Sequence, residues 1–109
     1  MIDLEDRSEL LAGAPVRLVR GADAHRGAIL FYHGLGVSIA DQTQELHSLA
    51  REGFVVIGVD NVGHGERRYA DFEARFSDDS PGFDGCLFDA VEETIEEVPR
   101  IVDAAIAMG

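Results

Sequence analysis

The sequence has no lysine and little positive charge, which narrows the partners that the protein can have. Its nine basic residues are all arginine and stand against 21 acidic residues, for a formal net charge of −12. Such a surface repels phosphate backbones and anionic lipid headgroups. We therefore expect no nucleic acid partner and no membrane partner.

Cysteine and long apolar runs are also scarce. The single cysteine, Cys86, cannot form an internal disulfide and suits a reducing compartment. No apolar run approaches the roughly 20 residues that span a bilayer. The first residues, Met1-Ile-Asp-Leu-Glu-Asp6, are acidic where a secretory signal would be basic and then apolar. These absences favour a cytoplasmic location.

The apolar pattern predicts a strand, a helix and a second strand in the first half of the chain. Residues 28–32 and 55–59 are short, continuous apolar runs, typical of strands that are covered on both faces. Between them the pattern predicts a helix that starts after Ser38, a good N-cap with Asp41 three residues later, and stops at Gly53.

Two further patterns complete the fold prediction. Alternation over residues 15–20 predicts a strand with one buried face, whereas it stays open whether Leu10 and Leu11 belong to an earlier strand. Apolar residues repeat every three or four positions from Phe88 to Ala105, which predicts an amphipathic helix with Pro99 inside it. The predicted class is α/β, with a mostly parallel sheet and flanking helices in a three-layer sandwich.

Two glycine-containing motifs follow the two apolar strands. They are His33-Gly-Leu-Gly36 and Asp60-Asn-Val-Gly-His-Gly-Glu-Arg67. Ligands of open parallel sheets bind outside the carboxyl ends of the strands, where both motifs are expected. Glycine lets the backbone approach a ligand closely, and N–H groups near a helix start can face a negative charge. The sequence therefore predicts a functional site at this edge.

This order of strand, His-Gly, helix, strand, Asp and Gly-His-Gly resembles the N-terminal half of an α/β-hydrolase. The Gly-His-Gly-Glu-Arg form is similar to small bacterial esterases of the dienelactone-hydrolase and prolyl-oligopeptidase-like branch. The resemblance covers residues 28–67 well and the rest loosely. It implies that the backbone N–H of Leu35 belongs to an oxyanion hole, that Gly34, Gly36 and His64 contact the substrate, and that no cofactor is needed.

The catalytic nucleophile, acid and base of that family are missing. The family's serine sits on a Gly-x-Ser-x-Gly elbow after the next strand, and no serine here has glycine two residues away on both sides. We interpret residues 1–109 as a single, incomplete α/β domain that lacks the elbow and the later strands. The chain would be the N-terminal fragment of a serine ester hydrolase, inactive alone. The alternative is a self-standing, noncatalytic binding or interaction module.

The resemblance also predicts the partners. In the family's strand order, residues 28–32 would form an exposed, apolar edge of this fragment, which is prone to pair with another chain. We expect it to bind the remainder of the hydrolase chain or a second copy of the same chain. The complete protein would act on a small-molecule ester.

Most polar residues of the two motifs have a plain structural interpretation. His33 is expected to brace its loop, and Asp60 to accept hydrogen bonds from neighbouring backbone N–H groups. Glu66 is expected to form a paired or solvated charged turn with Arg67 and Arg68. The spacing of these residues and His64 matches no metal motif, so no metal site is expected. Cys86 lacks the setting of a nucleophile and is expected to be at least partly buried.

The connection over residues 69–85 contains three phenylalanines among many acids. Leaving them in water would be costly, about 1.5–3 kcal/mol for each side chain that could be buried. Phe72 and Phe76 are four residues apart and would share one face of a short helical turn around residues 71–75. With Phe83, they are expected to fold over the site as a flap. An inert surface loop is the alternative.

Overall fold

The computed structural model describes residues 4–33, 38–76 and 82–108. In these residues four strands form one sheet in the spatial order β1-β2-β4-β3. Adjacent strands are antiparallel except for β3 and β4, which are parallel. The strands are β1 (Leu4–Leu11), β2 (Ala14–Gly21), β3 (Ala28–Tyr32) and β4 (Val55–Val59). The predicted α/β class is confirmed, with an antiparallel hairpin joined to the parallel pair.

The described residues also form helices α1 (Thr43–Arg51), α2 (Phe72–Phe76) and α3 (Phe83–Met108), with 3₁₀ turns at Ile39–Gln42 and Gly65–Arg67. None of these helices is both long and apolar enough to cross a membrane.

The first strand answers the question that the sequence left open. Leu10 and Leu11 belong to β1, which pairs with β2 along its whole length, from Leu4 opposite Gly21 to Leu11 opposite Ala14. Most side chains of β1 are exposed and several are charged. The strand therefore depends on backbone pairing in a hairpin, which apolar periodicity does not reveal.

Helix α1 covers one face of the sheet. The predicted start after Ser38 is confirmed: Asp41 Oδ2 accepts hydrogen bonds from the backbone N and the Oγ of Ser38, both at 3.2 Å. The first turn is 3₁₀ and the α-helical part follows it. Gly53 ends the helix with a φ of +100°. At Gly58 an added Cβ would lie 3.1 Å from Leu46 of α1, so the small residue sets how closely the helix approaches β4.

Helix α3 packs on the opposite face, but only through its C-terminal half. Ile101 is fully buried against residues of β1, β2 and β4. In the N-terminal half, Phe88, Val91 and Ile95 are 70%, 47% and 63% exposed. The predicted amphipathic helix is confirmed, with Pro99 inside it. Much of its apolar stripe is left uncovered by the described residues.

The aromatic connection is partly ordered as predicted. Phe72 and Phe76 form the short helix α2 and are buried in a cluster with Ala90 of α3, while Phe83 and Cys86 pack against it partly buried. The apolar area thus folds onto α3. Residues 77–81 of the predicted flap lie outside the described residues, and the flap's motion stays a prediction.

Candidate functional site

The two motifs meet at the carboxyl ends of β3 and β4, because the parallel register places Tyr32 beside Val59. The backbone N–H of Asn61 donates to Nε2 of His33 at 3.0 Å, and the Asn61 side-chain amide donates to the His33 carbonyl at 3.1 Å. His33 therefore braces the two loops, as expected. Because Nε2 accepts a hydrogen bond, it carries no proton, and its 3.4 Å contact with Asp60 is not an ion pair.

Asp60 organises the backbone around the site. Its Oδ1 accepts the N–H of Ile39 at 2.8 Å, and its Oδ2 accepts the N–H of Glu66 at 3.2 Å. Each donor lies in the first turn of a 3₁₀ segment, where N–H groups lack partners within the segment. The predicted structural role of Asp60 is confirmed, since one carboxylate fixes the starts of both turns.

Close packing requires the two glycines of Gly-His-Gly. Gly63 and Gly65 have φ values of +81° and +56°. A Cβ on Gly63 would lie 2.2 Å from the ring of Tyr69, and one on Gly65 would lie 2.1 Å from the carboxylate of Asp60. Both positions therefore exclude a side chain by contact as well as by backbone conformation. The motif is a tight turn that holds His64 in place.

His64 is buried, with 3% of its surface exposed. Its ring lies 5.3 Å from that of His33 and 4.9 Å from that of Phe72, centroid to centroid. Nδ1 is 3.1 Å from the carbonyl of Val62, so Nδ1 carries the proton that it donates there. Burial lowers the pKa of His64, which keeps the ring neutral near pH 7. The opposite nitrogen, Nε2, is buried and has no hydrogen-bond partner among residues 4–33, 38–76 and 82–108.

A cavity of about 400 Å³ lies between these loops and the N-terminal half of α3. Its walls are mainly apolar. One lining residue, Tyr32, has a buried hydroxyl that makes no hydrogen bond to any residue that the structure describes. The described lining residues are Tyr32, His33, Asn61, His64, Leu87, Ala90, Val91, Thr94, Ile95 and Val98.

Sequence reasoning identified His64 but missed the other wall of the cavity. Val91, Ile95 and Val98 were recognised only as the apolar stripe of a helix. Their spacing was the available signal, because they share one face of α3. Nothing in the sequence placed that face opposite Tyr32.

The charged residues after Gly-His-Gly are largely paired, as expected. Arg67 pairs with Glu97 of α3, and Arg68 pairs with Glu73 at 2.8 Å. Cys86 is partly buried on α3. In the part of the chain that the structure describes, no three His, Cys, Asp or Glu residues are arranged to hold a metal ion.

The sequence predicts that the backbone N–H of Leu35 belongs to an oxyanion hole and that Gly34 and Gly36 contact the substrate. Gly34, Leu35 and Gly36 lie outside the described residues, so their roles stay predictions.

Comparisons with known proteins identify the fold alone. The sequence matches no family model and no curated protein. The structure is similar to the crystal structure of TT1662 from Thermus thermophilus, with a TM-score of 0.80 and 22% identity over 95% of this chain. The chain spans 42% of the length of that protein. A predicted CIB-like hydrolase from Thermoplasma acidophilum gives a TM-score of 0.41 at 16% identity, over 84% of this chain and 47% of that one.

Proposed function

We propose that the chain is the N-terminal part of a cytoplasmic serine ester hydrolase. In this proposal the backbone N–H of Leu35 helps to hold the oxyanion of a tetrahedral intermediate, and Gly34, Gly36 and His64 form walls of the substrate pocket. The nucleophile, the acid and the base would come from the rest of the protein. The chain alone would therefore be inactive.

The observation that carries the proposal is the meeting of the two motifs beside an apolar cavity. His33 and His64 lie in ring contact at 5.3 Å, at the carboxyl ends of a parallel strand pair. Asp60 binds the N–H of Ile39, which holds the start of the first turn against the second motif. This arrangement suits a loop whose backbone N–H groups face a ligand. It provides no nucleophile among the described residues at the cavity.

The similarity in fold to a protein of more than twice the aligned length supports the view that the domain is incomplete. Two features of the described residues agree with it: β3 has no neighbour on its outer side, and α3 exposes apolar side chains. Both would be covered by further strands and helices of the same sheet. A partner of a self-standing binding module could cover the same surfaces, which is the second candidate function.

The test compares the 109-residue chain with the complete product of its reading frame. We expect the complete product to hydrolyse p-nitrophenyl acetate and to react with a fluorophosphonate probe, which labels activated serines. The 109-residue chain should do neither. Turnover by the pure chain that Cys86→Ala abolishes would overturn the proposal. A reading frame that ends at Gly109 would decide for the binding module.

A matched pair of variants tests Leu35 in the complete product. Leu35→Pro removes the backbone N–H, whereas Leu35→Ala keeps it. Loss of an oxyanion donor typically lowers kcat by a factor of about 10²–10³, so Leu35→Pro should show that loss with little change in KM. Equal effects of the two variants would contradict the assigned role.

A further inference from the structure

Asn61 lies directly after Asp60 and makes two hydrogen bonds to one residue of the first motif. Its backbone N–H donates to Nε2 of His33 at 3.0 Å, and its side-chain Nδ2 donates to the carbonyl oxygen of His33 at 3.1 Å. The first bond needs only the backbone, so any residue other than proline could make it. The second needs the side chain, and because a carbonyl only accepts, the NH₂ group of the amide faces it.

The His33 carbonyl belongs to the peptide unit that His33 shares with Gly34. A peptide unit is planar, so a bond to its oxygen restrains the whole unit. The next unit joins Gly34 to Leu35 and carries the N–H that the proposed function assigns to the oxyanion hole. Only the φ and ψ angles of Gly34 separate the two units, and glycine restricts these angles less than any other residue. Any freedom of the first unit is therefore passed on to the Leu35 N–H.

The other hydrogen bonds between the two motifs hold different groups. The backbone N–H of Asn61 holds the ring of His33, and Asp60 holds the N–H of Ile39. Neither of these bonds is made to the main chain of His33. The bond from the Asn61 side chain is, and it is partly buried beside the cavity that Asn61 lines. Water competes less for the donor of such a bond than for one at the surface.

We propose that Asn61 is a positioning residue for the oxyanion hole of the hydrolase. Its side-chain amide holds the His33 carbonyl and thereby restrains the direction of the Leu35 N–H. Asn61 acts through the main chain of His33 rather than through contact with the reacting atoms. The inference rests on the proposed function, and it follows from how an oxyanion hole works: the donors stabilise the developing charge because they are oriented before it forms.

The test replaces Asn61 in the complete product of the reading frame and measures turnover of p-nitrophenyl acetate. Asn61→Leu keeps the backbone N–H and a side chain of similar shape, and removes the amide donor. A misplaced catalytic group costs up to about 10²-fold in rate, so kcat should fall about 10- to 100-fold with little change in KM. Asn61→Asp keeps the shape and the polarity but turns a carboxylate oxygen toward the carbonyl, so kcat should fall at least as far.

A double-mutant cycle separates positioning from a general structural effect. Leu35→Pro already removes the N–H that Asn61 orients, so adding Asn61→Leu should lower kcat by less than about twofold further.

Thr43→Val is the control for stability. Oγ1 of Thr43 donates to the Ala40 carbonyl at 3.0 Å, so this variant also loses a bond from a side chain to a backbone carbonyl, but at the start of α1. It should lower the midpoint of urea unfolding about as much as Asn61→Leu does, and it should leave kcat unchanged.

The 109-residue chain tests the same hydrogen bond without turnover. Asn61→Leu should shift the NMR amide signal of Gly34, because that nitrogen belongs to the peptide unit that Asn61 holds. Thr43→Val should leave this signal in place.

The proposal is overturned if Asn61→Leu has the kcat of the wild type, or if it costs as much in the Leu35→Pro background as alone. A wild-type kcat in Asn61→Asp also overturns it, a criterion that holds even if another variant fails to fold. In each case the wild-type product is active, so the proposed function stands. An inactive wild-type product instead overturns the proposed function, whereas the Gly34 signal still shows whether Asn61 holds the loop.

Discussion

Arg67 and Glu97 are joined by two parallel hydrogen bonds, of 2.7 Å from Nη1 to Oε2 and 2.6 Å from Nη2 to Oε1. Nε and Nη2 of Arg67 also donate to the carbonyl of Asp60, at 3.2 and 2.7 Å. The pair therefore ties the loop after β4, which carries His64, to the helix that forms the other wall of the cavity. The hydrogen bond from the backbone N–H of Val62 to Oγ1 of Thr94, at 3.1 Å, is a second tie between this loop and α3.

Arg67→Lys should destabilise the chain although it keeps the charge. Lysine cannot reproduce the paired donors or reach the Asp60 carbonyl at the same time. Each side chain of the pair is about one-fifth exposed, so solvent weakens the attraction and we expect a loss of about 1–2 kcal/mol. Urea unfolding measures it.

The control for this variant is Arg75→Lys. Arg75 pairs with Asp71 on the exposed side of α2, and the midpoint of urea unfolding should not change. Equal shifts of the midpoint in both variants would mean that the Arg67 pair is an ordinary surface contact. A double-mutant cycle with Glu97→Gln should give a coupling energy that depends weakly on salt.

The sequence predicted the elements that bury their own side chains. The runs at 28–32 and 55–59 became β3 and β4, and the 3.6-residue period became α3. The sequence did not decide whether the residues of β1 form a strand, because exposed residues such as Glu5 and Asp6 give a hairpin strand no apolar period. A local sequence pattern shows which side chains are buried, whereas the pairing of β1 depends on a second strand, β2.

The candidate site, like the fold, was predicted only in part. The roles of His33 and Asp60 followed from their positions after strands, since hydrogen bonds to nearby backbone are local. The cavity did not follow, because Tyr32 and Val91 are brought together only by the placement of α3.

Gly65→Ala should be strongly destabilising. The alanine would be strained at a φ of +56°, and its Cβ would lie 2.1 Å from the carboxylate of Asp60. Backbone strain of about 1–3 kcal/mol and a similar cost of overpacking should add. We expect a loss of at least about 3 kcal/mol in free energy of unfolding, or no folded protein.

Gly27→Ala separates the two costs. Gly27 also has a positive φ, +101°, but no atom of the described part of the chain lies within 4 Å of an added Cβ. This variant should show only the cost of backbone strain, about 1–2 kcal/mol. If Gly65→Ala were no worse than Gly27→Ala, the contact with Asp60 would not explain the glycine.

Acidification should destabilise the chain, because His64 becomes protonated. Burial is the main cause that lowers its pKa below 6.5; the hydrogen bond to the Val62 carbonyl opposes this shift, and the charge of Arg68 adds to it. Below pH 6.5 the unfolded chain therefore binds more protons than the folded one. The stability that neutral, buried His64 contributes is fully present above pH 6.5 and is lost as the pH falls through the lowered pKa. For one group the slope is at most about 1.4 kcal/mol per pH unit.

The variant His64→Phe isolates this term. Acidification also relieves repulsion in a chain with a net charge of −12, and that effect is shared by both proteins. The difference in free energy of unfolding between wild type and variant should therefore change between about pH 7 and pH 5, in favour of the variant at low pH. A constant difference would show that His64 titrates alike in both states.

The two edges of the sheet differ in their protection against pairing. β1 carries Glu5, Asp6, Arg7 and Glu9 at one edge, and charges of this kind hinder the approach of another strand. β3, at the other edge, reads Ala-Ile-Leu-Phe-Tyr and has no charged residue. Self-association should therefore use β3.

Ile29→Lys should make the chain monomeric where the wild type associates. A charge on the outer strand disfavours a strand from a second copy, and Ile29 belongs to none of the buried core clusters, so folding should tolerate the change. Sedimentation over a range of concentrations measures the effect.

Leu10→Lys is the control, because it places the same charge on β1 at a side chain that is 69% exposed. If Leu10→Lys prevents association and Ile29→Lys does not, the copies pair through β1. If the wild-type chain stays monomeric at every concentration, the β3 edge does not mediate self-association.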